Sequence, residues 1–335
     1  MFEAAIAAAA ASSGVHTHTE PVLLRTLYVD GDGLAYYCAG NDETSPGAAR
    51  DNLVAKVLAA KRISGASHVC LLLTASGSHK GHRYAIARRK PYQGQRVNSR
   101  RPANWEALRE FMEMGRTPFS AHTTGEAEAD DLFGMYAYSK PEDTVIYTQD
   151  KDMRMLPGYH LDWVSHRMHK VHVDSQIYNP PRVVGCEFND KQYGHEWFWL
   201  QMLHGDTADN IPGLPKYKTT NAKGEVTFKP MGEVTAGKSL VECALGDMPE
   251  AVAELYEGFY GDRWLVEMME QACLLWMRRD PLAWDDVLNP GGAMDCFNDG
   301  SPAFAEAYLE IQGRVRDADN INAKAKDNAS SSSEG

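Results

Sequence analysis

The chain has 335 residues, 43% hydrophobic and 24% charged, enough for one large globular domain or two. No run approaches the ~18 consecutive apolar residues of a membrane helix, and six scattered cysteines without a C-x-x-C pair argue against a disulfide frame or a thiolate zinc site. The net charge of −12 disfavours a uniformly polyanion-binding surface, so any nucleic-acid partner requires a local concentration of positive charge.

Residues 1–22 are an alanine-rich tail expected to be mobile, with Glu3 where a signal peptide would carry basic residues. Residues 23–30 (LLRTLYVD) read as a buried strand that ends at a Gly-Asp-Gly turn. Residues 48–63 have helical spacing, and 68–74 (HVCLLLT) read as a second buried strand. Helices follow over 105–114, behind Pro102, and over 126–138, whose leading acids suit a helix N-terminus. Residues 144–148 (TVIYT) are a short apolar strand, and 159–164 a weaker one. Strands alternating with helices imply an α/β fold around a central, mainly parallel sheet. Beyond about residue 205 helices and Gly/Pro-rich turns take over, and the Ser-rich end, 321–335, reads as disordered. Reduced cysteines and the lack of a signal point to the cytoplasm.

The positive charge is concentrated. No acidic residue lies between Asp51 and Glu106, and eight basic residues fall within 80–101: Lys80, Arg83, Arg88, Arg89, Lys90, Arg96, Arg100 and Arg101. Counterion release depends on such local charge, which makes this segment a candidate phosphate-tracking surface.

Carboxylates gather where elements end. Asp30 closes the first strand, Asp150 and Asp152 follow TVIYT, and Glu128, Asp130 and Asp131 open a helix in GEAEADDL. In open α/β sheets, sites form in the crevice beyond the carboxyl ends of the strands. Carboxylates crowded there raise one another's pKa unless cations neutralise them. Oxygen ligands without His or Cys suit Mg²⁺ or Mn²⁺, and two such ions promote phosphodiester hydrolysis. A further signal is GDTADNIPGL, where Asp206 and Asp209 flank a turn whose backbone amides suit a phosphate.

In this order and spacing, VDGDGLAYYCAG, YAIARRKPYQGQR, GEAEADDL, TQDKDMRML and GDTADNIPGL resemble the 5′-nucleases of the flap-endonuclease group, and most of all its phage 5′→3′ exonucleases. The resemblance covers roughly residues 23–245. It implies a PIN-like (resolvase-like) nuclease domain over 23–204, with a basic arch at 80–101, and a helical helix-three-turn-helix DNA-binding region over 205–320. It assigns Asp30, Glu128 and Asp130 to a first metal ion, and Asp150, Asp152 and Asp209 to a second, with Asp131 and Asp206 accessory. The arch, Arg83 to Arg101, would thread a single-stranded 5′ end, with Arg83 or Arg96 steering the scissile phosphate. Arg88, Arg89, Lys90, Tyr92, Arg100, Arg101, Gly213, Gly232 and Thr235 would contact DNA.

Three departures from the family pattern stand out. Ala75 occupies a position usually held by aspartate, where water, Ser76 or Ser78 would have to substitute. The arch reads Tyr92-Gln93-Gly94-Gln95-Arg96 and lacks a lysine. Residues 216–230 interrupt the Gly-rich hairpin. A G-x-x-x-x-G-K-S match at 232–239 is read as the second half of that hairpin and not as an ATP site, because Pro230 is unsuited to a buried strand before a phosphate loop. Trp197 and Trp199 read as helix core, Tyr36 and Tyr92 as candidates for stacking on bases.

The expected protein is therefore a monomeric metal-dependent 5′→3′ exonuclease and flap endonuclease, active in the host cytoplasm if phage-encoded. Its partners would be duplex DNA with a free 5′ end or 5′ flap, and RNA–DNA hybrid. No His stands among the carboxylates, so proton transfer would fall to metal-bound water. A PIN-type ribonuclease, or a branched-DNA-binding protein with weakened catalysis, are the alternatives.

Overall fold

A computed structural model describes residues 20–98, 100–172, 191–241 and 243–333. Most of the expected mobile N-terminal tail, residues 1–19, lies outside the described residues. The chain divides into two compact units: one of residues 1–78, 99–197 and 277–282, the other of residues 79–98, 198–276 and 283–335.

The first unit is built on β1 (Val22–Asp30), β2 (Ala66–Thr74), β3 (Ser120–Thr124), β4 (Thr144–Tyr147), β5 (Gly158–Leu161) and β6 (Met168–Val171). They form one sheet in the order β3-β2-β1-β4-β5-β6. All neighbours are parallel except β5 and β6. Consecutive buried residues in β2 (Leu71, Leu72, Leu73) and β4 (Val145, Ile146, Tyr147) fit parallel strands covered on both faces, whereas β1 buries alternate residues such as Leu27 and Val29.

Around the sheet lie α1 (Gly31–Cys38), α2 (Pro46–Ser64), α4 (Trp105–Glu113) and α5 (Ala129–Ser139), with α3 (Arg83–Ile86) falling in the second unit. Ser45 caps α2, its hydroxyl accepting from the Ala48 amide at 3.1 Å, and Pro46 starts the helix with its φ already set. Gly65 then ends it in a left-handed turn at φ 64°, which returns the chain directly into β2. Gly134 admits the 277–282 segment against α5, because a Cβ there would lie 2.2 Å from the Arg278 carbonyl oxygen.

The second unit is mainly helical. It contains most of α6 (His195–His204), then α7 (Glu233–Leu240), α8 (Met248–Tyr260), α9 (Trp264–Leu275) and α10 (Pro302–Ser333). It also holds an antiparallel ribbon, β7 (Lys216–Thr220) with β8 (Val226–Pro230). Trp197 and Trp199 are buried, as expected of helix core. No helix among the described residues is long and apolar enough to cross a membrane.

Two elements go beyond the sequence reading: the interruption at 216–230 is a paired ribbon, and β3 is a polar strand. The C-terminal segment expected to be disordered continues α10 to Ser333. Extending an established helix through an Ala- and Lys-rich stretch requires no new nucleus, so propagation carries it on.

Candidate active site

The carboxyl ends of β1, β2 and β4 and the N-terminus of α5 meet at one rim of the first unit. Asp30 is the N-cap of α1 and accepts from the Gly33 amide at 2.7 Å. Its second oxygen accepts from the Thr148 hydroxyl at 2.9 Å, and the same hydroxyl receives the Asp150 amide at 3.0 Å. One threonine thus fastens the acidic ends of β1 and β4 together. Asp150 is exposed and accepts from the Asp152 amide at 2.8 Å, shaping the short 3₁₀ turn Lys151–Met155. Asp152 is buried, with the Lys151 ammonium 2.9 Å away.

The second approach comes from α5. Thr74, at the end of β2, accepts the Ala129 amide at 2.9 Å, which places Glu128 and Asp130 at that rim. Asp131 is fully buried and turned inward. It accepts from the Glu128 amide at 3.2 Å and from the Arg278 amide at 3.4 Å, so it caps and anchors α5.

Burial pushes the Asp30 carboxyl above its usual range, partly offset by the Gly33 amide, the Thr148 hydroxyl and Arg109. Desolvation, rather than the mutual repulsion expected, is the leading cause. Sequence reasoning missed Thr148, and it missed the pair Arg109–Asp32. Arg109 ion-pairs with Asp32 and donates to the Thr74 carbonyl at 2.6 Å, while Asp32 accepts the Thr74 amide at 3.2 Å. A cation on the buried stripe of an amphipathic helix, beside Leu108 and Met112, is the signal that could have exposed this pair.

Ala75 follows β2, its amide bonded to the Thr124 carbonyl at 2.8 Å. Ser78 donates to the Ala127 carbonyl at 2.7 Å, which commits that hydroxyl to the backbone ahead of Glu128. Beside Asp150 an open cleft is lined by Thr148, Lys151, Arg154, His160, Asp162 and Tyr193. Tyr36, on α1, is 44% exposed and lies 5.6 Å from Trp105, whose ring Arg101 covers at 4.1 Å. Arg100 reaches Asp42 at 3.2 Å in the same unit.

In the second unit the basic segment is docked more firmly than a free arch would be. Arg83 is 1% exposed and donates to the carbonyls of Leu274 and Trp276 at 3.1 and 2.9 Å. The expectation that it steers a phosphate therefore gives way: its guanidinium locks α3 to the end of α9. Glu270 accepts the amides of Arg88 and Arg89 at 3.0 and 2.9 Å, and the Arg89 guanidinium pairs with Glu267. Tyr92 is buried, so base stacking is closed to it, and its hydroxyl donates to Asp209 at 2.8 Å. Gln93 donates to the same carboxylate at 3.1 Å, and Arg96 pairs with it. The Arg88 and Lys90 side chains are exposed.

GDTADNIPGL folds as a tight loop closed by mutual main-chain bonds of Asp206 and Ile211 at 2.8 and 2.7 Å. Gly205 and Gly213 both have positive φ, and a Cβ on Gly213 would come within 2.4 Å of the Gly205 nitrogen. The Asp206 side chain accepts the Ala208 amide at 3.0 Å. The Gly213 amide, expected to face a phosphate, donates to Gln271 at 3.0 Å instead. Gly232 stands at the exposed N-cap of α7, with Thr235 in its first turn. Gly237, Lys238 and Ser239 lie inside that helix, which removes the phosphate-loop reading of the motif.

No family model and no curated protein matches this chain. Among solved structures it is similar to the 5′-exonuclease of bacteriophage T5 with bound zinc, at 14% identity and a TM-score of 0.53, over 87% of this chain and 100% of that one. A bacteriophage T5 flap endonuclease in a pseudo-enzyme–product complex with DNA and metal ions matches at 16% identity and a TM-score of 0.43, over 75% and 99%. The first likeness shows the fold: a PIN-like, mostly parallel sheet with flanking helices and a helical C-terminal region, as in the T5 5′-exonuclease.

Proposed function

We propose that this chain is a metal-dependent 5′-nuclease, a 5′→3′ exonuclease and flap endonuclease acting on duplex DNA with a free 5′ end. RNA–DNA hybrid is a further substrate in this reading. The observation that carries it is the Thr148 bridge, which ties the Asp30 carboxylate to the Asp150 main chain just beyond the ends of two neighbouring parallel strands.

Asp30, Glu128 and Asp130 are the ligands proposed for one divalent ion, and Asp150 and Asp152 for the other. Asp209 is proposed as a further ligand of the second ion, with Asp206 accessory, on the strength of the motif resemblance. The donor set fits Mg²⁺ or Mn²⁺: it is all oxygen, and the half-buried Asp30 carboxylate bears a desolvation cost that a cation offsets. Bound divalent ions would supply Lewis acidity and a lowered water pKa. The protein's part is to fix the carboxylates through Thr148, Thr74 and the α5 cap, and to offer Arg88 and Lys90 to the phosphate backbone.

The test uses 5′-labelled flap, nicked duplex and RNA substrates, first with Mg²⁺ and then with Ca²⁺. Cleavage of both DNA substrates with Mg²⁺ is expected, and Asp150→Asn should abolish cutting while sparing binding. Cleavage of RNA alone would establish a ribonuclease instead. Tight flap binding without cleavage would favour a branched-DNA-binding protein, a reading that Ala75 keeps in view.

A further inference from the structure

The nuclease reading leaves the ribbon β7–β8 without a role. It is inserted between the GDTADNIPGL loop and α7, and its fifteen residues carry Lys216, Lys218, Lys223 and Lys229 against the single acid Glu225. Four positive charges less one negative give +3 in a chain of net charge −12. All four lysines are exposed.

The ribbon is a built element rather than a slack loop. Asn221 accepts the amides of Lys223 and Glu225 at 2.9 and 3.1 Å and donates to the Glu225 carboxylate at 2.9 Å. That turn occupies the lone acid locally and carries Lys223 at the tip. Phe228 packs edge-on against Phe259 of α8 with ring centroids 5.6 Å apart, which anchors the strands on the helix. Strands of five residues span about 17 Å at ~3.3 Å per residue, and a two-stranded ribbon fits a major groove about 12 Å wide. Lysines present point charges without the planar fork that reads bases, which suits phosphates of any sequence.

We propose that β7–β8 is a duplex-DNA clamp whose four lysines hold backbone phosphates without reading sequence. The proposal rests on the nuclease reading and extends the DNA contact to an element outside the motifs that suggested it.

The experiment measures the affinity of the full chain for a 5′-flap duplex in Ca²⁺ across a KCl series. Wild type is compared with a quadruple variant carrying Lys216→Ala, Lys218→Ala, Lys223→Ala and Lys229→Ala, and with the matching quadruple Lys→Arg variant. The alanine variant should bind at least about tenfold more weakly at 0.1 M KCl, and its log affinity–log salt slope should fall by about 3.6. The arginine variant should retain wild-type affinity and slope. An alanine variant with unchanged affinity and slope, beside a wild type that binds and cuts DNA, overturns the clamp and leaves the nuclease reading standing. An arginine variant as weak as the alanine one also overturns it, because the loss then comes from the fold and not from charge. A wild type that neither binds nor cuts DNA overturns both.

Discussion

Thr148 donates its hydroxyl to the Asp30 carboxylate at 2.9 Å while accepting the Asp150 amide at 3.0 Å. One side chain thereby ties the Asp30 carboxylate at the end of β1 to the main chain of Asp150, just beyond the neighbouring strand β4. It also supplies one of the few donors that support the charge on a desolvated Asp30.

Thr148→Val keeps the shape and removes both bonds. Stability should fall by about 0.5–1.5 kcal/mol, the net worth of a typical hydrogen bond, because one bond is part-buried and the other exposed. The Asp30 carboxyl should rise further above its usual range, so the Mg²⁺ concentration for half-maximal cleavage should increase several-fold. Urea unfolding and a Mg²⁺ titration of the rate check this, and Thr148→Ser should restore both. An unchanged Mg²⁺ midpoint in the valine variant would remove Thr148 from the site.

Arg83→Met should destabilise the fold by about 2–3 kcal/mol, because the carbonyls of Leu274 and Trp276 lose their donor in a buried setting. The salt slope of DNA binding by the folded variant should not change. A slope reduced by about 1 would instead put Arg83 on a phosphate.

His160 is buried, with its Nε2 2.9 Å from the Leu156 carbonyl, and burial lowers its pKa from 6.5 to about 4. Above pH 6.5 it is neutral folded or unfolded. Between pH 6.5 and about 4 only the unfolded chain takes up the proton, so stability is lost as the pH falls through that window. The loss should approach about 3 kcal/mol, and His160→Phe should flatten this part of the profile. Chemical denaturation at a series of pH values measures it; an equally steep fall in the phenylalanine variant would assign the effect to other groups, such as the neighbouring His169.

Ala75→Asp should lower the Mg²⁺ requirement, because it places a carboxylate directly after β2 near the rim that Thr74 shares with α5. A titration of cleavage against Mg²⁺ decides this. An unchanged midpoint would mean that position 75 adds no ligand to the first ion.

Much of the sheet was legible in the chain. The runs that became β2 and β4 carry consecutive buried apolar residues, as strands covered on both faces must, while β1 alternates buried with half-buried positions. The polar strand β3 (SAHTT) and the Lys/Thr-rich β7 lack that signature, since one lies at a sheet edge and the other in an exposed two-stranded ribbon. Their pairing comes from the partner strand and not from their own hydrophobicity.

The candidate site divides the same way. That Asp30 and Asp150 stand where strands end follows from local sequence, because a buried apolar run that stops at an acid turns at the sheet's edge; that the two strands are neighbours was decided by the sheet. That Thr148 links them, that Asp131 faces inward and that Arg83 is locked in place were decided only by the tertiary structure. Arg83 bonds a carbonyl 191 positions away, and nothing in its own neighbourhood announces that partner. Local hydrophobicity is enough to declare a strand and its end. The role of a charge is settled by what the fold brings to it, since a buried cation must find acceptors wherever along the chain they lie.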